Sequence, residues 1–384
     1  MLALLAAQFL SALADNAILI AAIAIVKAQA RSDLIPLLQA AFVIPFIVFA
    51  PFVGPFADRL SKGKVMLIGN AIKLVGAAAM FAGSNPLATY GLIGIGAAIY
   101  SPAKYGILAQ MFGAAKLVRA NGMMEGSTIV AILLGVVLGG WLADRSLTWA
   151  FAGVLAAYAL ATLFNLFIPR LPPEQMGVRF HPWTLFKRFM TSSASLLRNA
   201  DARFSLLGTS IFWGSGSTLR LMLFAWVPAV LLIAENQTPA NLMGAVSVGI
   251  VLGAVIAGKW ITLENVNRAL IGGLLLGPAI MALAFVHGLT IAVALMLLIG
   301  ACGGLFVVPL NALLQKRGHE SIGAGNALAV QNFAENSAML LFVGVYSLAV
   351  KLPVREVVSV FGLILLLATG MLARFRLQRS RVKA

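Results

Sequence analysis

Charge is scarce in this chain: 10% of its 384 residues are Asp, Glu, Lys or Arg, while 61% are hydrophobic. Soluble domains carry about 25% charged residues. No globular core of this size hides so much apolar surface, but lipid solvates it. Cysteine is nearly absent. The one thiol, Cys302, lies in an apolar run, which excludes disulfides and thiolate metal sites and leaves a small packing residue. The three histidines, His181, His287 and His319, are scattered without ligand spacing, so neither a metal nor any other cofactor is expected. No G-x-x-x-x-G-K-[ST] loop occurs and no soluble domain is there to house one, which argues against an ATP-driven pump. Nothing reads as an enzyme. Acidic residues number 12 against 28 Lys and Arg, a formal net charge of +16. These cations sit in short segments between apolar spans and not on a folded basic face, so nucleic acid is not an expected partner.

What is present is a series of apolar runs. A helix needs about 20 apolar residues to cross the hydrocarbon. Spans are expected near 3–26, 37–57, 65–83, 87–110, 121–143 and 149–168, then 205–232, 240–260, 269–287, 289–313, 322–350 and 356–373. The chain opens MLALLAAQFL, with no basic n-region and no clear cleavage site. It reads as a first transmembrane helix, not a signal peptide, and a short cytoplasmic leader is expected ahead of it.

Lys and Arg then set the orientation. Twenty of them occupy every second loop, the central segment 169–204 and the tail after 373, whereas the opposite loops hold only Lys27, Arg31, Arg145, Lys351 and Arg355. The positive-inside rule places both termini and the central segment in the cytoplasm. Lys73, Lys104 and Arg220 fall inside spans.

The central segment is the one long polar connection. Pro169, Pro172 and Pro173 end the sixth span. Residues 183–198 interleave Trp183, Leu185, Phe186, Phe189, Met190 and Leu196 with Lys187, Arg188 and Arg198, the pattern of a helix lying on anionic lipid. The flanking halves look related. GAAIYSPAK at 96–104 aligns with GGLFVVPLN at 303–311, and EGST at 125–128 with ENSA at 335–338. The expected fold is an all-α polytopic membrane protein of about twelve helices in two pseudo-symmetric six-helix bundles, 1–168 and 205–384, joined by a linker at 169–204. Parallel six-helix repeats are a transporter architecture, with substrate held near the midplane.

Charge inside a span is costly unless it faces a partner or a cavity, so such residues are candidates for function. Asp15, followed by Asn16, lies midway along the first span, and Arg220 lies at similar depth in the seventh. They are expected to form a pair or a joint site, Arg220 meeting a substrate phosphate through its bidentate fork and Asp15 an amine; a purely structural buried pair is the alternative. Lys104, Glu125 and Glu335 form a second set, near Asn311, Gln331, Asn332 and Asn336. Lys104 with either glutamate would make a cytoplasmic gate, unless Glu125 merely stabilises a helix N-terminus. Lys73 is expected to snorkel. The glycines at 135, 139 and 140 are read as a helix-packing face.

The loop Gly54-Pro55-Phe56-Ala57-Asp58-Arg59-Leu60-Ser61-Lys62-Gly63-Lys64 resembles the G-x-x-x-D-R-x-G-R-[RK] signature of the major facilitator superfamily, with one extra residue. The resemblance implies that Asp58, Arg59 and Lys62 serve gating, and that spans 1 and 7 face each other across the cavity. Its counterpart at 258–268 is degenerate. AQFLSALADNAIL (7–19), YSPAKYGIL (100–108), the stretch 120–134, TLRLMLFAWVP (218–228), FVVPLNALLQ (306–315) and GAGNALAVQNFAENSAML (323–340) are similar to the bacterial lysophospholipid transporter family. That resemblance covers nearly the whole chain. It implies inward flipping of lysophospholipids, chiefly lysophosphatidylethanolamine, across the inner membrane, coupled to a cytoplasmic acyltransferase/acyl-carrier-protein synthetase that reacylates them. The partners implied are the lysophospholipid, the bilayer and that enzyme. The rival reading is a proton-coupled exporter of amphipathic drugs, with Asp15 or Glu335 titrating.

Overall fold

A computed structural model describes residues 1–111, 114–169, 171–173, 181–322 and 324–383; the side chains of Asp58, residues 105, 109 and 114–122, Glu125, Ile129, His319 and residues 324, 325 and 379–383 lie outside that description. The described residues form helices and no strand. Ten helices are long and apolar enough to cross a membrane, or eleven if one bent pair counts as a single span. The expected fourth span is also a helix, Pro86–Met111, but falls outside that set; Ser101, Pro102 and Lys104 dilute its apolar character.

The first compact unit comprises residues 1–191 and 328–333. It holds α1 (Leu2–Ala28), α2 (Ile35–Val48), α3 (Ala50–Arg59), α4 (Lys62–Phe81), α5 (Pro86–Met111), α6 (Ala114–Arg145) and α7 (Leu147–Leu166). The expected span 37–57 is broken into α2 and α3 with a 62° bend. The cause is local: Pro51 carries no N–H for the i−4 carbonyl, and its ring crowds the preceding turn. Within this unit α1 packs on α6 and α7, and α4 on α5 and α7. The expected packing role of the 135–140 glycines is observed, since a Cβ at Gly139 would stand 2.9 Å from Ala17 Cα.

The second unit comprises 192–327 and 334–384. The helix Pro182–Arg198 (α8) crosses the boundary between the units, where a linker helix over 183–198 was expected. Trp183, Phe186, Met190 and Leu197 on it are exposed, and Lys187 stands over the Trp183 ring. Then follow α9 (Ala200–Trp226), α10 (Gln237–Trp260), α11 (Ala269–Ala282), α12 (Leu289–Ser321), α13 (Ala324–Ala349) and α14 (Val354–Lys383). Helix α9 starts at Ala200, inside the expected linker, because Asn199 caps it by accepting from the Asp201 and Ala202 amides at 3.0 Å. Helix α14 continues through the basic tail expected to follow the last span.

Two interlocked small-x-x-x-small faces join α10 to α12. Gly249 meets Gly300, Gly253 meets Ala301, and Gly304 meets Ile250 and Ala254; a Cβ at Gly249 would stand 2.9 Å from Gly300 Cα. Backbones approach this closely only where side chains are missing. In this unit α10 packs on α12, α11 on α12 and α14, and α9 on α12 and α14. The first unit repeats that scheme with α2 on α5, α4 on α5 and α7, and α1 on α5 and α7. The shared scheme agrees with the repeat read from the Pro102 and Pro309 segments.

Candidate functional site

Three helices of the first unit deliver one polar network. Asp15 projects from the middle of α1, Lys73 from α4 and Tyr158 from α7. The Lys73 ammonium lies 2.7 Å from Asp15 Oδ2, and the Tyr158 hydroxyl donates to Asp15 Oδ1 at 2.7 Å. Lys73 also donates to Ser11 Oγ at 3.0 Å, and Ser11 in turn donates to Asn70 Oδ1 at 2.7 Å. The ring of Tyr100, on α5, faces the ammonium at 4.9 Å, a favourable cation–π arrangement where water is scarce.

Burial is uneven across the pair. The Lys73 side chain is 2% exposed and that of Asp15 is 20% exposed. The lysine is therefore a closed structural charge, whereas the carboxylate keeps an open face. The expectation that Lys73 snorkels is corrected: its ammonium points into the unit, toward an acid and a hydroxyl, and does not run to the membrane surface. Room for its stem comes from a glycine. A Cβ at Gly96 on α5 would lie 2.8 Å from Lys73 Cγ.

Asp15 thus finds a counter-charge in its own half. Charge balance alone does not require Arg220, which lies half-buried on α9 in the second unit. Asn16, expected beside Asp15, donates back to the Ala12 carbonyl of its own helix at 2.8 Å. Two further buried groups border the network, and among the described residues neither Asn70 Nδ2 nor the Tyr100 hydroxyl has a protein hydrogen-bond partner. Such groups are the points at which water or a ligand is accommodated.

The residues expected at the cytoplasmic gate fall on several helices. Lys104 is buried on α5. Lys62 is buried at the start of α4, with its Cε in contact range of Gly106 on α5, so the signature loop pins these two helices together. Arg59 ends α3 half-buried. Asp58 and Glu125 were expected in the gate, and their side chains lie outside the described residues. Glu335 is buried on α13, one turn after buried Gln331.

A second charge cluster, not singled out from sequence, lies in the second unit. Asp201 Oδ2 accepts from Arg317 Nε at 3.0 Å and from a terminal nitrogen at 2.8 Å, while Oδ1 accepts from Arg376 at 2.5 Å. Arg376 donates to Asn267 Oδ1 at 2.9 Å and lies over the Phe204 ring. One carboxylate thereby ties the start of α9 to the ends of α12 and α14. Among the described residues no three His, Cys, Asp or Glu side chains gather as a metal site.

Relatives sharpen the reading. The family described as Major Facilitator Superfamily matches residues 4–343. A protein of Citrobacter koseri named lysophospholipid transporter LplT is 50% identical over 383 residues, covering 100% of this chain and 96% of its own. A Serratia proteamaculans protein of the same name is 52% identical over 352 residues, covering 91% and 88%. Among solved structures, a POT family transporter in complex with 5-aminolevulinic acid superposes with a TM-score of 0.77 at 12% identity, covering 97% of this chain and 95% of its own. A bacterial homologue of the human lysosomal transporter Spinster gives 0.72 at 14% identity, covering 98% and 97%. At such identities these two show the fold alone. This multi-pass membrane protein belongs to the major facilitator superfamily and, within it, to the lysophospholipid transporter family.

Proposed function

We propose that the chain moves lysophospholipids, chiefly lysophosphatidylethanolamine, inward across the bacterial inner membrane by alternating access, for reacylation by a cytoplasmic acyltransferase/acyl-carrier-protein synthetase. The observation that carries this reading is identity of about half of all residues, over the full chain, with a relative named for lysophospholipid transport. A lysolipid needs a polar place for its head group and apolar surface for its tail. Asp15, with its open face, and the neighbouring Asn16 meet the head-group amine, and Arg220 meets the phosphate, as its planar fork favours. Lys104, Glu125 and Glu335, with Asp58, Arg59 and Lys62, serve the cytoplasmic gate. Twenty cations on one set of loops support cytoplasmic termini. Movement runs down a gradient that reacylation maintains, without proton coupling.

The test is uptake of labelled lysophosphatidylethanolamine into proteoliposomes of the purified protein, with and without an uncoupler. Lipid-specific, uncoupler-insensitive movement is expected. Movement abolished by the uncoupler, or of amphipathic drugs instead of lysolipid, overturns the reading.

A further inference from the structure

An ammonium held against the carboxylate assigned to the head group is at first sight a competitor. Its burial argues otherwise. With 2% of its side chain exposed, Lys73 has no path to a ligand, whereas Asp15 keeps 20% exposed. Each Asp15 oxygen takes one internal donor at 2.7 Å, Lys73 on Oδ2 and Tyr158 on Oδ1. A carboxylate offers about four acceptor positions over its two oxygens, so each oxygen retains capacity for an incoming donor.

The surroundings are built for a charged lysine. Ser11 spends its proton on Asn70, which leaves its oxygen to accept from Lys73. The Tyr100 ring presents its face to the ammonium. Gly96 clears the path of the stem between α4 and α5. Helices α5 and α7 bring phenol groups to the pair, Tyr100 against the ammonium and Tyr158 on the carboxylate.

We propose that Lys73 is a positioning residue for transport: it supplies the counter-charge that keeps Asp15 a carboxylate and, with Tyr158, turns the open face of that carboxylate toward a cationic head group. This rests on the reading of Asp15 as the head-group acid. A carboxylate left in apolar surroundings without a counter-charge takes up a proton instead of staying charged. Lys73 therefore acts on the substrate through Asp15 and never touches it.

The test pairs infrared spectroscopy of the purified protein in vesicles with lysophosphatidylethanolamine uptake. Lys73→Met is expected to show a protonated-carboxyl absorption at neutral pH, absent from the unmodified protein and from the double variant Asp15→Asn/Lys73→Met. Its uptake is expected to fall about 10- to 100-fold, by analogy with the loss of partners that orient metal-ligating side chains. Lys73→Arg keeps the charge, shows no such band and retains more uptake than Lys73→Met. Lys73→Gln serves in the same measurements if Lys73→Met does not accumulate. Absence of the band in both neutral variants, or its persistence in the double variant, overturns the proposal. An unmodified protein that moves no lysolipid, with the band still appearing in Lys73→Met, removes the substrate reading and leaves the charge relation intact.

Discussion

Asp15 and Asp201 are both carboxylates held by basic side chains on neighbouring helices, yet they live in different media. Asp15 sits mid-helix on α1 with a lysine that is 2% exposed. Asp201 sits in the first turn of α9, against Arg317 at 35% and Arg376 at 19% exposure. In the first case water is displaced and the desolvation of both ions is large, so the pair matters most through what happens when one member is lost. In the second, water and salt share in solvating the charges, and the cluster acts mainly as a geometric tie among three helix ends. The same chemistry thus holds a partly open carboxylate in one half and makes a fastening in the other. The degenerate loop at 258–268 touches this second cluster. There Asn267 contributes one acceptor to Arg376, and the tie itself is made by Asp201.

The comparison breaks most sharply at Lys73. Lys73→Met is expected to destabilise the protein by about 3–5 kcal/mol, the range for removing one partner of a buried ion pair, here including the cost of protonating Asp15. Adding Asp15→Asn should return much of that loss, read as thermal unfolding in detergent. Strict additivity of the two substitutions would show that they do not interact. Tyr158→Phe comes next, removing one hydrogen bond to a charged acceptor, for about 1.5–3 kcal/mol. Lysolipid uptake should fall with it, because Asp15 loses the donor that orients Oδ1. Asp201→Asn is expected to cost about 1 kcal/mol after allowance for water around the cluster. Its effect should shrink in 1 M salt, where the Debye length is about 3 Å, whereas the Lys73→Met effect should hardly change. An equal salt response in both would erase the contrast drawn between the two regions. Smallest is Glu320→Gln, which breaks an exposed i, i+3 pair with Arg317 and should change stability by no more than about 0.5 kcal/mol.

Much of the scaffold was legible because the bilayer makes length and hydrophobicity decisive. The first, third, fourth, sixth, eighth, ninth and eleventh expected spans coincide with helices, give or take a few residues at their ends, while the tenth runs on to Ser321. Asp15 stood out for the same reason, as an acid inside an apolar run. Its partners did not. Lys73 was compatible with snorkelling as long as the rotation of α4 about its axis was unknown. A signal did exist in the spacing: Ser11 and Asp15 lie four residues apart, and Asn70 and Lys73 three apart, so each helix carries a short polar stripe. Tyr158 lay beyond reach, 143 residues from the acid it supports. The Asp201 cluster was hidden likewise, its partners standing 116 and 175 residues away, where Arg317 and Arg376 counted only as topology signals.

Sequence alone determined that this is a membrane protein, where most of its long apolar helices lie, which loops carry the positive charge, and that its halves repeat. Each of these follows from local composition read along the chain, since burial in lipid is a property of a segment. Only the tertiary structure decided which charge answers which. Ion pairing at 2.7 Å depends on the rotation and close approach of α1, α4 and α7, set in part by glycines such as Gly96 that leave no mark on hydropathy.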